Sequence, residues 1–151
     1  MNAVKNCLIK LNHIIDINKQ MMTFYTNLLN CNEVKEVNPS LQFLLNQKKR
    51  FINSAEYEIS RLSDLHSEIK VTDVDKFEFN PQLINSKNVD TFLLKLNTAE
   101  QQFVNAYLQI ISELNPEGSV YQRLVNHVDE MQVSSTMLQR NITHQQRLLS
   151  A

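Results

Sequence analysis

Five polar residues stand where the helical repeat of this chain calls for apolar side chains: Asn18, Lys48, Glu58, Glu100 and Ser135. Carboxylates gathered inside a helical bundle suit one chemistry above others, the holding of a pair of divalent cations. Such a site takes one Glu from each of two helices and a Glu-x-x-His from each of the other two, because an i, i+3 spacing sets both donors one turn apart on one face. The helical glutamates here fail that test. Three residues beyond Glu56 stands Ile59; beyond Glu58, Arg61; beyond Glu100, Phe103; beyond Glu113, Pro116; and beyond Glu130, Val133. Two divalent ions would leave about four positive charges in a low-dielectric interior, and Lys48 would add to them. The residues therefore predict no metal ligand, no cofactor and no catalytic group. Lys48 is expected to snorkel or to pair with a buried acid such as Glu100. The five residues together are expected to form a buried polar layer, either a device that sets helix register or the relic of a metal site.

The remaining candidates carry less. His127 and Glu130 share a helix face, but in the order opposite to a di-metal half-site, and they read as an ion pair at the bundle rim. His13, His66 and His144 lack an acid or cysteine at ligand spacing. His66, near a helix end, is expected to favour the dipole or cap carbonyls there. Lys48-Lys49-Arg50 reads as a solvated helix face. No Gly-rich phosphate loop and no Ser/His/Asp or Cys/His constellation can be assembled, so the expectation is that this is not an enzyme.

The elements that must place these residues follow from composition. One glycine and three prolines in 151 residues leave stretches 1–38, 40–80, 82–115 and 119–151 free of both. Tight hairpins need glycine for positive φ, whereas long helices joined by few loops do not. An apolar share of 42% suits a globular chain, and the length fits a single domain. Net charge is −1 with the signs interspersed, so no basic field exists for nucleic acid. No apolar run approaches the ~20 residues that cross a bilayer. No signal-peptide core stands between Lys5 and Lys10, which predicts a cytoplasmic protein with reduced thiols. Cys7 and Cys31 fall 24 residues apart on one helix, ~36 Å along its axis and beyond disulfide reach. The Asn141-Ile142-Thr143 sequon is then a chance match.

Spacings of three and four predict helices over about 3–30, 39–69, 87–114 and 116–149. The first seam is Val4, Leu8, Leu11, Ile15, Asn18, Met22, Tyr25 and Leu29. The second is Leu41, Leu45, Lys48, Ile52, Ala55, Ile59, Leu62, His66 and Ile69, widened by Leu44, Phe51, Glu58 and Leu65. The third carries Val89, Phe92, Leu96, Ala99, Phe103, Ala106 and Ile110 beside Leu93, Glu100, Tyr107 and Leu114. The fourth runs Tyr121, Leu124, Val128, Met131, Ser135, Leu138, Ile142, Gln145 and Leu149. Asn38-Pro39 and Asn115-Pro116 are each expected to open a helix, Asn as cap and Pro in the first turn.

Residues 70–87 follow neither period. Some 17 residues span up to ~56 Å extended, against ~42 Å for a 28-residue helix. The stretch is therefore expected to run the length of the bundle, pinned by Val71, Val74, Phe77, Phe79, Leu83 and Ile84. The helices on either side of it would then be parallel. A shift of 82 lays Asn18 on Glu100 and Tyr25 on Tyr107, and a shift of 83 lays Glu58 on Asn141. The halves thus form a weak internal repeat, and two of the acids that a symmetric metal site would need are amides.

The segments LNHIIDINKQMMTFYTNLL, LLNQKKRFINSAEYEISRL and LNTAEQQFVNAYLQIIS resemble the ferritin-like domain-of-unknown-function family 2383. Tyr25 matches its first-helix tyrosine, Phe51 and Glu58 its aromatic ahead of an acidic turn, and Glu100 and Tyr107 its Glu seven residues before a Tyr. The likeness covers residues 8 to about 115 and implies an antiparallel, ferritin-like four-helix bundle with a long crossover between its second and third helices. It brings no established activity. The expected function is that of a non-catalytic interaction or stress-associated structural protein, partnered by a second copy or by another protein. The alternatives are a cytoplasmic secretion or flagellar-type helical chaperone and a metal-binding ferritin-like protein.

Overall fold

Seam residues three and four apart drive the formation of four long helices, and the computed structural model describes them over residues 3–31, 35–72 and 74–150, with the side-chain surroundings of Cys31 and of residues 141–150 outside that description. Helix α1 spans Ala3–Cys31, and a 3₁₀ turn over Lys35–Val37 leads into α2, Asn38–Leu65. Helix α3 spans Val89–Ile111 and α4 spans Ser119–Ser150. The chain is an all-α bundle, as its breaker-poor composition predicts.

Most seam positions are buried, among them Leu11, Asn18 and Tyr25 of α1, Leu41, Lys48 and Ala55 of α2, Leu96 and Phe103 of α3, Leu124 and Met131 of α4, whereas Met22, Leu29, Ile59, His66, Ile69 and Tyr121 are half-buried. Each helix also buries a second row spaced by sevens, such as Ile14, Met21 and Leu28, or Leu93, Glu100 and Tyr107. Two rows per helix make a stripe wide enough to face two neighbours, as a four-helix core requires.

The helix ends correct four expectations. Val37, not Asn38, holds the cap position of α2, so that Asn38 and Pro39 lie within its first turn. Helix α2 stops at Leu65, four residues early, where the His66 N–H reaches Leu62 O at 2.9 Å and the Ile69 N–H closes a turn on His66 O. Leu65 is consequently exposed, outside the core row it was assigned to. Helix α3 runs from Val89 to Ile111; Asn88 caps it by accepting the Thr91 N–H at 3.1 Å. Asn115-Pro116 does not open α4. The Asn115 side chain accepts the Glu117 N–H and its carbonyl accepts the Gly118 N–H, forming a turn. Gly118 takes the cap position, its carbonyl accepting the Gln122 N–H at 3.2 Å.

Contacts at one end of the bundle set the topology. Asn6 donates to Glu113 O, Lys10 pairs with the Glu113 carboxylate, and Arg61 reaches Ser119. The starts of α1 and α4 therefore meet the ends of α2 and α3, and α2 and α3 run parallel. Between them the chain climbs the bundle. His13 contacts Asp75 O at 3.0 Å; Gln20 donates to Phe77 O and accepts the Phe79 N–H at 2.7 Å. Phe79 then packs on Phe103, and Ile84 is buried. Leu83, expected to pin this crossover, instead points into solvent.

Candidate functional site

Lys48 of α2 and Glu100 of α3 meet at mid-bundle. The ammonium donates to Glu100 Oε1 at 2.7 Å and Oε2 at 3.0 Å, and to Gln47 Oε1 at 2.8 Å. Their side chains are 0% and 2% exposed. The rings of Phe103, Phe51 and Tyr25 surround the nitrogen, Phe103 at 4.7 Å from its centroid, so a desolvated cation meets aromatic faces where no oxygen reaches it. Burial lowers the lysine pKa and the adjacent carboxylate opposes that shift. Gln47 in turn donates to Ser134 Oγ, which tethers α2 to α4. Burial, and then the Glu100 charge, push the Tyr25 hydroxyl well above its ordinary range.

A second network runs from the core to the surface. Asn18 donates to Ile14 O and to the Tyr107 hydroxyl at 3.2 Å; that hydroxyl lies 2.7 Å from His127 Nδ1. His127 Nε2 is 3.1 Å from Ser54 Oγ, which also accepts from Arg123, and Arg123 Nε binds Glu58 Oε1 at 2.7 Å. The other Glu58 oxygen takes two bonds from Arg61. With Asn18 donating to the Tyr107 oxygen, the phenolic proton goes to Nδ1, so His127 carries its own proton on Nε2 and gives it to Ser54. Burial, then Arg123 and Arg50, hold the imidazole down at about 3 and keep it neutral. It lies flat on Phe51, the ring centroids 4.1 Å apart. This network surfaces in an open cleft of about 530 Å³ between α2 and α4, lined by Ser54, Glu58, Ser119, Gln122, Arg123, Asn126 and His127.

The five expected polar residues are all buried, but they do not form one layer. Lys48 and Glu100 pair with each other, and Asn18 and Glu58 lie at opposite ends of the second network. Ser135 sits apart at the α3–α4 seam, donating to Asn97 Oδ1 at 2.6 Å and accepting from Gln101. The proposed His127–Glu130 rim pair does not exist: His127 is 6% exposed and Glu130 pairs with Arg50. Ser54 does meet His127, a contact of two members that falls short of the Ser/His/Asp set considered from the sequence. The imidazole donates to that hydroxyl instead of accepting its proton, so the pair is not arranged to activate a nucleophile. His66 stands at the C-terminal cap of α2, but it is its backbone N–H that reaches a carbonyl, that of Leu62, while its ring faces Glu68. Cys7 is half-buried, its thiol pKa raised chiefly by burial. Asn141, the sequon and His144 lie outside the described side chains.

Gln47, Ser54, Arg123 and Ser134 escaped sequence reasoning. The available signal was the second row of α4, Val120, His127 and Ser134, spaced by sevens like the rows of the other helices but too polar to read as core.

The donor set does not fit a metal pair. Both oxygens of Glu100 are held by the Lys48 ammonium, both oxygens of Glu58 by guanidinium groups, and among the described residues no three His, Cys, Asp or Glu side chains converge. No described helix is long and apolar enough to cross a membrane. No protein-family model, curated protein or solved structure matches the chain.

Proposed function

We propose that the protein is a non-catalytic bundle of ferritin-like kind, related to the family its segments resemble, that works through its surface as an interaction or stress-associated structural protein. The observation that carries this reading is the Lys48–Glu100 pair, an internal cation closing the carboxylate that a di-metal centre would require. An ammonium beside a metal pair repels it, whereas beside Glu100 it neutralises a buried acid and stabilises an empty bundle. The proposed setting is the cytoplasm and the proposed partner is a second copy or another protein. The mixed surface charge favours neither nucleic acid nor a membrane. Exposure of the purified protein to ferrous iron in air, followed by elemental analysis, tests the reading. No stoichiometric iron, manganese or zinc is expected; two equivalents of iron lost on Glu100→Ala would overturn it in favour of a metal-binding protein.

One observation favours the chaperone as second reading. Pro39, Phe43, Leu44, Met137 and Leu138 line an apolar groove of about 200 Å³ between α2 and α4, with Phe43 and Met137 each nearly half exposed. A groove of this kind receives the apolar face of a partner helix. Loss of such a partner on Phe43→Glu, with the fold retained, would favour the chaperone.

A further inference from the structure

We propose that the cleft between α2 and α4 is a binding site for a small organic anion, held through a carboxylate or phosphate group. Two guanidinium groups share the single carboxylate of Glu58: Arg123, which lines the cleft, and Arg61, which meets its wall at Ser119; together the three groups leave one positive charge unbalanced beside the cleft. Arg50, further along the same face, is spoken for by Glu130. His127 is neutral there, so it neither adds to that charge nor offsets it.

The cation is also held in place. Glu58 is buried and fixes Arg123 through Nε, Ser54 fixes it through Nη1, and Tyr57 packs its ring 5.4 Å from the guanidinium carbon. Among the described residues these bonds leave Nη2 of Arg123 and Nη1 of Arg61 without a partner. A guanidinium already held at two of its nitrogens offers the third to an oxyanion with little ordering cost. The rest of the wall suits the polar body of a small molecule: the amides of Gln122 and Asn126 and the hydroxyls of Ser54 and Ser119 line a space of about 530 Å³. That volume falls in the range of small-molecule sites. The site stands apart from the centre of the bundle, so it holds whether or not the surface-acting reading does.

The test is a titration of the full-length protein with sodium succinate and, separately, with inorganic phosphate at constant ionic strength, following the Arg123 Nε–H resonance by NMR. Saturable shifts are expected with at least one of the two, with a dissociation constant on the order of 1 mM or tighter. Succinate alone identifies a carboxylate ligand and phosphate alone a phosphorylated one. Asn126→Asp places a negative charge on the cleft wall without touching a core contact, and it should weaken binding by about tenfold or more while the fold is retained. Arg123→Gln should abolish binding. Linear, non-saturating shifts with both anions, or binding unchanged in Asn126→Asp, would overturn the proposal.

Discussion

The Tyr107 hydroxyl lies 2.7 Å from His127 Nδ1, and both side chains are buried against Phe51. This contact links the third helix to the fourth in the deepest part of the bundle. It also decides which imidazole nitrogen carries the proton, and so the direction of every bond from there to the surface cleft.

A pH dependence follows from it. The folded protein holds His127 at about 3, well below its ordinary 6.5. Between those values the unfolded chain binds a proton that the native state refuses. Stability contributed by this residue is therefore full above about pH 6.5 and is lost as pH falls toward 3. One histidine gives a slope of about 1.4 kcal/mol per pH unit, and the interval from pH 6.5 to 5 isolates it from most carboxylates. Urea unfolding at several pH values should show that slope, and His127→Gln should flatten it. An equal slope in the variant would place the titration elsewhere.

The two matched tyrosines should respond differently to losing only their hydroxyls. Both are fully buried, so replacement by alanine should cost roughly 3–5 kcal/mol in either case. The Tyr107 hydroxyl serves Asn18 and His127, whereas the Tyr25 hydroxyl makes no well-formed hydrogen bond and only faces the Glu100 carboxylate that Lys48 already holds. Tyr107→Phe should therefore cost about 1–3 kcal/mol, because it strands the buried imidazole nitrogen, and Tyr25→Phe should be near neutral. Chemical denaturation of the two phenylalanine variants checks this. A greater loss at Tyr25 would contradict the assignment.

The crossover is held to α1 by Gln20, whose amide both donates to Phe77 O and accepts from the Phe79 N–H. Gln20→Ala removes both bonds at once. Amide exchange around Phe79 should quicken by an opening free energy of roughly 2 kcal/mol, with exchange in the helix cores little changed. Unchanged exchange at Phe79 would mean that the segment is held by its apolar residues alone.

Much of this architecture was legible before any coordinates, and the reasons are physical. Long stretches without breakers and a steady three-four spacing leave few alternatives to four helices, and the length of the segment after α2 made a climbing crossover the economical connection. The Lys48–Glu100 pair was legible because a lysine on an apolar seam must find an acid or reach water. Helix ends were harder to read. Asn-Pro signals a turn as readily as a cap, and at Asn115 the side chain closes a turn on Glu117, so that α4 begins three residues after Pro116. The second network was hidden for another reason. His127 and Ser134 occupy core positions, but a polar residue beside an apolar seam looks solvated until its partners on another helix are known. Ser54 comes within reach of His127, and of Arg123 one turn before it on α4, only through the packing of α2 on α4, a relation 73 residues long in sequence.

The central claim is that Lys48 and Glu100 form a mutually neutralising charge pair buried in the centre of the bundle, and a double-mutant cycle tests it most directly. Unfolding free energies would be measured for the wild type, Lys48→Met, Glu100→Leu and the double variant. Each single change leaves a buried charge without its partner and should cost about 3–5 kcal/mol, whereas the double variant should recover most of that loss or exceed the wild type. Additive losses in the double variant, or a Glu100→Leu protein as stable as the wild type, would contradict the account.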